Sequence, residues 1–145
     1  MAAQDQVGAI YSFALVETAA LVPHEQVEQE RLLLLVKQIE SDGALYLPVM
    51  VDRSSMVILD GHHRVNALKL LGCSLTPVYL VDYRDPSIIV TQWRKDVKVS
   101  KQAVVAAGLS GRPYPPRVSR HLWGVPPRER PVPLSLLRVF ASRHA

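Results

Sequence analysis

Residues 56–65 constrain the fold of this chain more than any other segment. Residues 56–59 are apolar and predict a buried strand, and a glycine follows at position 61. The residues after this glycine have the apolar spacing of a helix. The buried stripe of that helix is predicted to be Val65, Leu68 and Leu71. A strand that passes through a glycine turn into a helix predicts an α/β protein in which the helix start lies beside the strand end.

The start of this predicted helix is suited to bind an anion. Its first backbone N–H groups have no partner within the helix, and the helix dipole favours negative charge there. Gly61 allows close backbone approach, and His62, His63 and Arg64 add donors, with Arg64 able to grip phosphate oxygens in a fork. Asp60 can hold a magnesium ion or a hydroxyl proton. Alternatively, Asp60 caps the helix and the two histidines are surface residues.

The sequence argues against a zinc site and against two common nucleotide-binding motifs. Adjacent histidines point to different faces of a helix, and the chain has one cysteine, so a zinc site is not expected. None of the seven glycines precedes a Lys-Ser or Lys-Thr pair, which excludes a P-loop, and no Rossmann fingerprint is present.

Composition predicts a single globular domain of a cytoplasmic protein. The 145 residues are 48% hydrophobic and 21% charged, which is the balance of a globular chain. No apolar run approaches the roughly 18 residues of a membrane span. Residues 1–8 carry no basic residue, so we expect no secretory signal. The one cysteine, Cys73, cannot form an internal disulfide and is predicted to be a buried thiol, as expected in a reducing compartment.

The rest of the first 111 residues predicts alternating strands and helices. Strands are expected at 9–17, 47–51, 77–83 and 87–93. A hairpin turn is expected at 52–55. Helices are expected at 26–41 and 99–107, closed by Gly43 and Gly108 respectively.

From Arg112 the composition changes. Residues 112–145 contain seven arginines and the single acid Glu129, and seven of the eleven prolines lie between 113 and 133. Proline at this density excludes regular helix and central strand. We interpret 114–121 as a rigid phosphate-binding segment, 126–133 as a linker and 134–140 as an apolar patch that docks on the domain. A disordered tail is the alternative, and the lack of an aromatic ladder weakens a nucleic-acid interpretation.

The run Asp60-Gly61-His62-His63-Arg64 between a strand and a helix resembles the phosphate-binding signature of the ParB/sulfiredoxin superfamily. The Asp-Gly-His-His-Arg form is that of the free L-serine kinases. Sulfiredoxins have a Gly-Cys-His-Arg form and ParB proteins a Gly-Glu-Arg-Arg form at this place, and this sequence matches neither.

Three more segments resemble the same family, in the same order. Pro23-His24-Glu25 stands ahead of the first helix, where the family has its catalytic glutamate. Trp93 follows the strand that ends near Tyr83, where the family has a substrate-side tryptophan. Residues 114–121 (Tyr-Pro-Pro-Arg-Val-Ser-Arg-His) resemble a Phe-Pro-Pro-Lys-Thr-Thr-Arg-His segment that closes over the amino acid and its phosphate.

The resemblance covers residues 9–122 and implies a fold. It implies an α/β domain of the α+β type: a single compact ParB/sulfiredoxin-like domain with a small mixed sheet, flanking helices and a proline-rich C-terminal segment. Residues 112–122 form the phosphate-binding part of this domain, and 123–145 remain as a tail rich in proline and arginine. The chain departs from the family at Arg117, which replaces a lysine, and at Val118, which replaces a threonine. The short connection after Trp93 leaves the substrate range open.

The resemblance also implies an activity. A phosphoryl group passes from ATP or ADP, with Mg²⁺, to the hydroxyl of L-serine, giving O-phospho-L-serine. The implied general base is Glu25, with Glu28 and Glu30 as nearby rivals. The other implied roles are nucleotide-phosphate binding by Gly61, His62, His63 and Arg64, catalysis and metal binding by Asp60, and substrate binding by Trp93, Ser119, Arg120 and His121.

Other classes remain open beside this kinase. They are a ParB-like nucleotide-dependent DNA-binding module, a sulfiredoxin-like reductase, and an inactive nucleotide-binding relative. We expect no specific nucleic acid and no membrane as partner, and the sequence does not decide the oligomeric state. We also expect residues 112–122 to fold back over the site, between the Asp60–Arg64 turn and Glu25.

Overall fold

The computed structural model of the protein describes residues 6–7 and 11–143. The strands are β1 (Gln6–Val7), β2 (Tyr11–Glu17), β3 (Ala44–Leu45), β4 (Val49–Asp52), β5 (Ile58–Asp60), β6 (Leu75–Val81), β7 (Ile89–Gln92), β8 (Ser119–Leu122) and β9 (Val132–Pro133). The helices are α1 (Gln29–Asp42), α2 (His62–Leu70), α3 (Lys101–Leu109) and α4 (Leu134–Arg143), and a 3₁₀ turn spans Thr18–Ala20. Among the described residues no helix is long and apolar enough to cross a membrane.

A small mixed sheet forms the centre of the molecule. Its strand order is β1-β2-β6-β4-β5. β4 pairs with β6 in parallel, and the other pairs in this sheet are antiparallel. β3 pairs with β9, and β7 pairs with β8, as two short ribbons outside it. The α/β architecture with a small mixed sheet that the sequence predicts is confirmed.

Side chains cover both faces of the central strands β4 and β6, whose successive residues point to opposite sides of the sheet. Val49 and Val78 pack with Val65 of α2 on one face. Met50 and Tyr79 belong to a second cluster, on the other face. Val104 of α3 is part of that second cluster. The strand-turn-helix unit β5–α2 is therefore fixed from both sides, which holds the start of α2 in place.

Two element boundaries differ from the sequence prediction for clear reasons. α1 begins at Gln29 instead of residue 26, because Gln26 donates its N–H to the carbonyl of Tyr114 at 2.8 Å. α3 continues through Gly108, which we expected to end it. A Cβ at Gly108 would lie 2.8 Å from Val57 Cγ2, so this glycine permits close packing of α3 on the sheet. The first strand is described from Tyr11, and residues 9 and 10 of the predicted strand lie outside the described residues.

The C-terminal part beyond residue 122 is folded onto the domain, and strand β9 lies within residues 126–133. β9 pairs with β3, and Tyr79 donates its hydroxyl to the carbonyl of Arg128 at 2.9 Å. Leu137 of α4 is fully buried, in a cluster with Leu68 and Cys73. Burial raises the pKa of the Cys73 thiol, as expected for a packed cysteine. The predicted docking of the apolar patch is confirmed at Leu137, and the side chain of Phe140 lies outside the described residues.

Candidate active site

A cavity of about 340 Å³ lies between α1, the start of α2 and the segment 112–122. Eight of the ten predicted site residues line it: Glu25, Asp60, Gly61, His62, His63, Arg64, Trp93 and Ser119. Arg120 and His121 are not part of its wall. Arg31 and Arg117, which the sequence did not assign to the site, add two cations to the wall.

Glu25 presents a largely buried carboxylate to this cavity, with 12% of its side chain exposed. Its Oε2 accepts the backbone N–H of Ser119 at 2.7 Å and also the Ser119 hydroxyl. Burial alone raises the pKa of the carboxyl, but the hydrogen bonds from His24 and Ser119 outweigh it and lower the pKa to about 2. Glu25 is therefore ionised at neutral pH.

An extended backbone pairing holds Glu25 in place. Tyr114 donates its N–H to the carbonyl of His24 at 2.7 Å, and Glu25 and Tyr114 form a parallel bridge. The prolines around Tyr114 keep this strand-like segment extended. The prediction that residues 112–122 fold back between Glu25 and the start of α2 is confirmed, because Arg117 and Ser119 share the cavity with the Asp60–Arg64 turn.

His62 has a different role from the donor expected at this position. Its ring is buried, and Nε2 accepts the backbone N–H groups of His24 and Glu25 at 3.1 and 3.3 Å. Burial lowers the pKa of His62 to about 3, so the ring is neutral and Nδ1 carries its hydrogen. His62 therefore fixes the backbone that carries Glu25.

His63 and Arg64 also contact the protein itself. His63 accepts the backbone N–H of Glu28 at 2.9 Å through Nε2, and burial lowers the pKa of this ring. Arg64 donates Nη1 to the carbonyls of Leu47 and Pro48, both at 2.8 Å, and 15% of its side chain is exposed. Nη1 of Arg64 thus holds the backbone before β4, a structural part that the sequence did not predict.

Asp60 and Gly61 form the turn between β5 and α2. Gly61 has a φ of 116°, and a Cβ there would lie 2.9 Å from Nη2 of Arg64, so only glycine fits this turn. Asp60 is 56% exposed at the end of β5, with Oδ2 3.8 Å from Nη2 of Arg64. The part of the chain that the structure describes contains no group of three or more His, Cys, Asp or Glu side chains placed to hold a metal.

Three side chains of the C-terminal segment contact other parts of the protein: Arg117, Arg120 and His121. Nε of Arg117 lies 2.9 Å from Oε1 of Glu28, as an ion pair. Arg120 lies 4.7 Å over the ring of Trp93, which is 58% exposed on the cavity wall. Nε2 of His121 lies 2.8 Å from the hydroxyl of Tyr83, and burial lowers the pKa of this histidine to about 3.

Structural comparison decides the fold. The chain aligns with a solved free serine kinase, a glutamate-to-alanine mutant in complex with AMP, at a TM-score of 0.81 and 14% identity, covering 89% of this chain and 95% of that one.

The chain has the fold of the free serine kinases.

It also aligns with C-terminally truncated SbnI from Staphylococcus aureus, at a TM-score of 0.77 and 17% identity over 91% of this chain and 93% of that one. The fold that the sequence resemblance implies is thereby confirmed. No family model matches the chain.

Sequence comparison finds homologues with related names. An ATP-dependent L-serine kinase of Staphylothermus marinus is 32% identical over 83 residues, which are 54% of this chain and 33% of that protein. A ParB-like protein of Sulfolobus acidocaldarius is 34% identical over 85 residues, or 59% of this chain and 42% of that protein. The ADP-dependent L-serine kinase SerK of Thermococcus kodakarensis is 27% identical over 97 residues, which are 64% of this chain and 40% of that protein. The matched part of the chain spans 33% to 42% of these relatives.

Proposed function

We propose that this protein is a free L-serine kinase that transfers a phosphoryl group from ATP or ADP to the serine hydroxyl, giving O-phospho-L-serine. One observation carries the proposal: the Glu25 carboxylate and the glycine turn at the start of α2 line the same cavity. Homologues named as ATP-dependent and as ADP-dependent L-serine kinases support a nucleotide donor of either kind.

In the proposed reaction Glu25 is the general base. A serine hydroxyl is a poor nucleophile and needs a carboxylate within hydrogen-bond reach to take its proton as the bond to phosphorus forms. Glu25 is ionised, faces the cavity, and is held by Ser119 and by the backbone that His62 fixes. Glu28 is a weaker candidate, because its carboxylate pairs with Arg117.

The nucleotide phosphates are proposed to bind at the start of α2. The first backbone N–H groups of that helix are free of intrahelical bonds, and the nearby cations Arg31 and Arg117 also face the cavity. Positive charge placed on the transferring phosphoryl oxygens stabilises the transition state. His63 and Arg64 border this position. His63 holds the start of α1 through a hydrogen bond, and Arg64 holds the backbone before β4 in the same way.

Asp60 is the proposed ligand for Mg²⁺. Its carboxylate is more than half exposed beside the start of α2, so it is available to an ion that arrives with the nucleotide. One protein carboxylate together with phosphate oxygens is a usual environment for this ion. When bound, Mg²⁺ supplies positive charge to the phosphate oxygens. The donor set present here therefore fits the ion.

The acceptor side is proposed to be formed by the C-terminal segment. Trp93 and Ser119 line the cavity next to Glu25, and Arg120 stacks on the outer face of Trp93. The serine substrate would thus lie between the base and the nucleotide. His121 contacts Tyr83 instead, so we propose for His121 only an indirect part in shaping this wall.

A second candidate is a nucleotide-binding relative without turnover. The match to the ParB-like protein favours it, as does the bond between Ser119 and the base itself. The two candidates are separated by incubating the protein with L-serine, Mg²⁺ and either ATP or ADP, and following ³¹P NMR. The kinase produces O-phosphoserine with at least one donor. Nucleotide binding without any O-phosphoserine would support the second candidate.

A further inference from the structure

The buried histidine next to the proposed base has no part in the mechanism above. His24 is fully buried, and both of its ring nitrogens are engaged. Nδ1 lies 2.6 Å from the carbonyl oxygen of Ile58, and Nε2 lies 2.8 Å from the hydroxyl oxygen of Ser119. Nε2 is also 3.6 Å from Oε2 of Glu25. The ring is in contact with the base but does not line the cavity that Glu25 faces.

The hydrogens of this cluster can be counted. A carbonyl oxygen only accepts, so Nδ1 of His24 carries a hydrogen toward Ile58. The Ser119 oxygen contacts both Nε2 of His24 and Oε2 of Glu25. The Ser119 hydroxyl has one hydrogen and can donate it to only one of these two groups. The hydrogen bond to the other group needs a second hydrogen. The second hydrogen must come from an imidazolium at His24 or from a protonated Glu25.

We propose that His24 is a positioning residue that, through the Ser119 hydroxyl, holds a proton in common with Glu25 and so controls when Glu25 acts as the base. The inference rests on the proposed kinase function. With the proton present, His24 donates to Ser119 and Ser119 donates to Glu25, so Oε2 is occupied. With the proton lost, Ser119 turns its hydrogen to Nε2 of His24, and Oε2 becomes available to the substrate hydroxyl.

The proton count closes over one turnover. The serine hydroxyl oxygen forms the bond to phosphorus, the bond from phosphorus to the bridging oxygen of the nucleotide breaks, and the hydroxyl proton goes to Oε2 of Glu25. That proton passes to the Ser119 oxygen while the Ser119 hydrogen passes to Nε2 of His24. At the end of the turnover His24 is an imidazolium and Glu25 is a carboxylate. The proton on His24 is released to solvent after the product has left the site.

The groups that face His24 leave Glu25 as its principal charged neighbour. The rings of His62, His121 and Tyr114 lie 4.6, 6.2 and 6.3 Å from it. Burial lowers the pKa of both His62 and His121 to about 3, so both rings are neutral near pH 7. Glu25 is therefore the charged group that lies beside the His24 ring.

Kinetics of His24→Gln test the proposal, since glutamine keeps a polar side chain but does not titrate. We expect kcat to fall by about 10-fold to 100-fold, as for other partners that orient a reacting group, with nucleotide affinity unchanged. The acid limb of the pH profile of kcat should shift in the variant, because Glu25 then titrates without its imidazole neighbour. Combining His24→Gln with Ser119→Ala should cost little more than Ser119→Ala alone, because one acts through the other. An unchanged acid limb, or fully additive losses, would overturn the proposal.

A second measurement needs neither activity nor a variant of His24. The ¹⁵N resonances of the imidazole nitrogens are followed with pH in the wild-type protein and in Glu25→Gln. We expect Nδ1 of His24 to keep its hydrogen throughout, and Nε2 to lose its hydrogen at lower pH in Glu25→Gln than in the wild type. Loss of the Nε2 hydrogen at the same pH in both proteins would overturn the proposal of a shared proton, even if O-phosphoserine is formed. Absence of O-phosphoserine would instead count against the kinase function.

Discussion

Ser119 donates its backbone N–H to the carboxylate of Glu25 at 2.7 Å, across 94 positions of the sequence. One residue stands before the first helix and the other on β8, so the proposed base is held by a segment far along the chain. The proline-rich stretch before Ser119 supplies the extended backbone that makes this contact. The site is consequently complete only when the C-terminal part of the domain is folded.

Arg64→Ala is expected to destabilise the protein as well as weaken nucleotide binding. The change removes two hydrogen bonds to buried backbone carbonyls before β4, and bonds from a charged donor contribute about 1.5–3 kcal/mol each. Urea unfolding followed by circular dichroism measures the loss. Lys69→Ala is the matched control, since it removes an exposed cation from the same helix. Equal stability of the two variants would contradict the structural part assigned to Arg64.

His63→Ala is expected to weaken binding of ATP and ADP with a smaller effect on folding. His63 lines the cavity at the start of α2 and accepts a hydrogen bond from the backbone of Glu28. Calorimetric titration of the variant with each nucleotide checks this. Wild-type affinity for both nucleotides would place their phosphates away from the start of α2.

Acid is expected to destabilise the protein through His62. Burial lowers its pKa from the ordinary 6.5 to about 3, so the unfolded chain binds more protons than the folded one between these values. The free energy of unfolding therefore decreases as pH falls from about 6.5 toward 3. Glu25, with a pKa of about 2, adds to this decrease below its ordinary 4.5.

His62→Gln tests that assignment, because the amide oxygen can still accept the two backbone N–H groups but does not titrate in this range. Urea unfolding at several pH values should give a shallower dependence on pH for the variant than for the wild type. His121 contributes in the same direction and stays in both proteins, so some slope remains. Parallel curves would show that His62 is not responsible.

Leu137→Ala is expected to cost about 2–5 kcal/mol of stability, because it leaves a cavity at a fully buried position of α4. Its neighbour Leu136 is 52% exposed, and Leu136→Ala should change stability by no more than about 0.5 kcal/mol. Thermal and urea unfolding of the pair compare two identical substitutions on one helix. Similarly small losses of stability in both variants would show that residues 134–140 are not part of the core.

The sequence predicts those features that depend on local pattern. The strand-glycine-helix unit, the stripe of Val65 and Leu68, and the left-handed cap at Gly43 all follow from spacing and from backbone preference, and the structure has them. These are also the features that place the cavity beside the start of α2.

Long-range contacts were not accessible in this way. The sequence places His24 beside the proposed base, but it does not show that its ring joins residues 34 and 95 positions away. Arg64 reaches carbonyls 16 and 17 positions earlier, which no motif encodes. The apolar patch at 134–140 predicted docking, but the sequence did not show that Leu134 and Leu137 join the core cluster of Leu68 and Cys73.

The most direct test of the account is the rate of O-phosphoserine formation in wild type and Glu25→Gln. Purified protein is incubated with L-serine, Mg²⁺ and the active nucleotide, and the product is quantified by ³¹P NMR. Glu30→Gln, which neutralises an exposed carboxylate at the first turn of α1, is the control and should match the wild type. We expect Glu25→Gln to lose on the order of 10²–10⁴ in rate while binding nucleotide normally. Wild-type turnover by Glu25→Gln, or no O-phosphoserine from the wild type with either donor, would contradict the account.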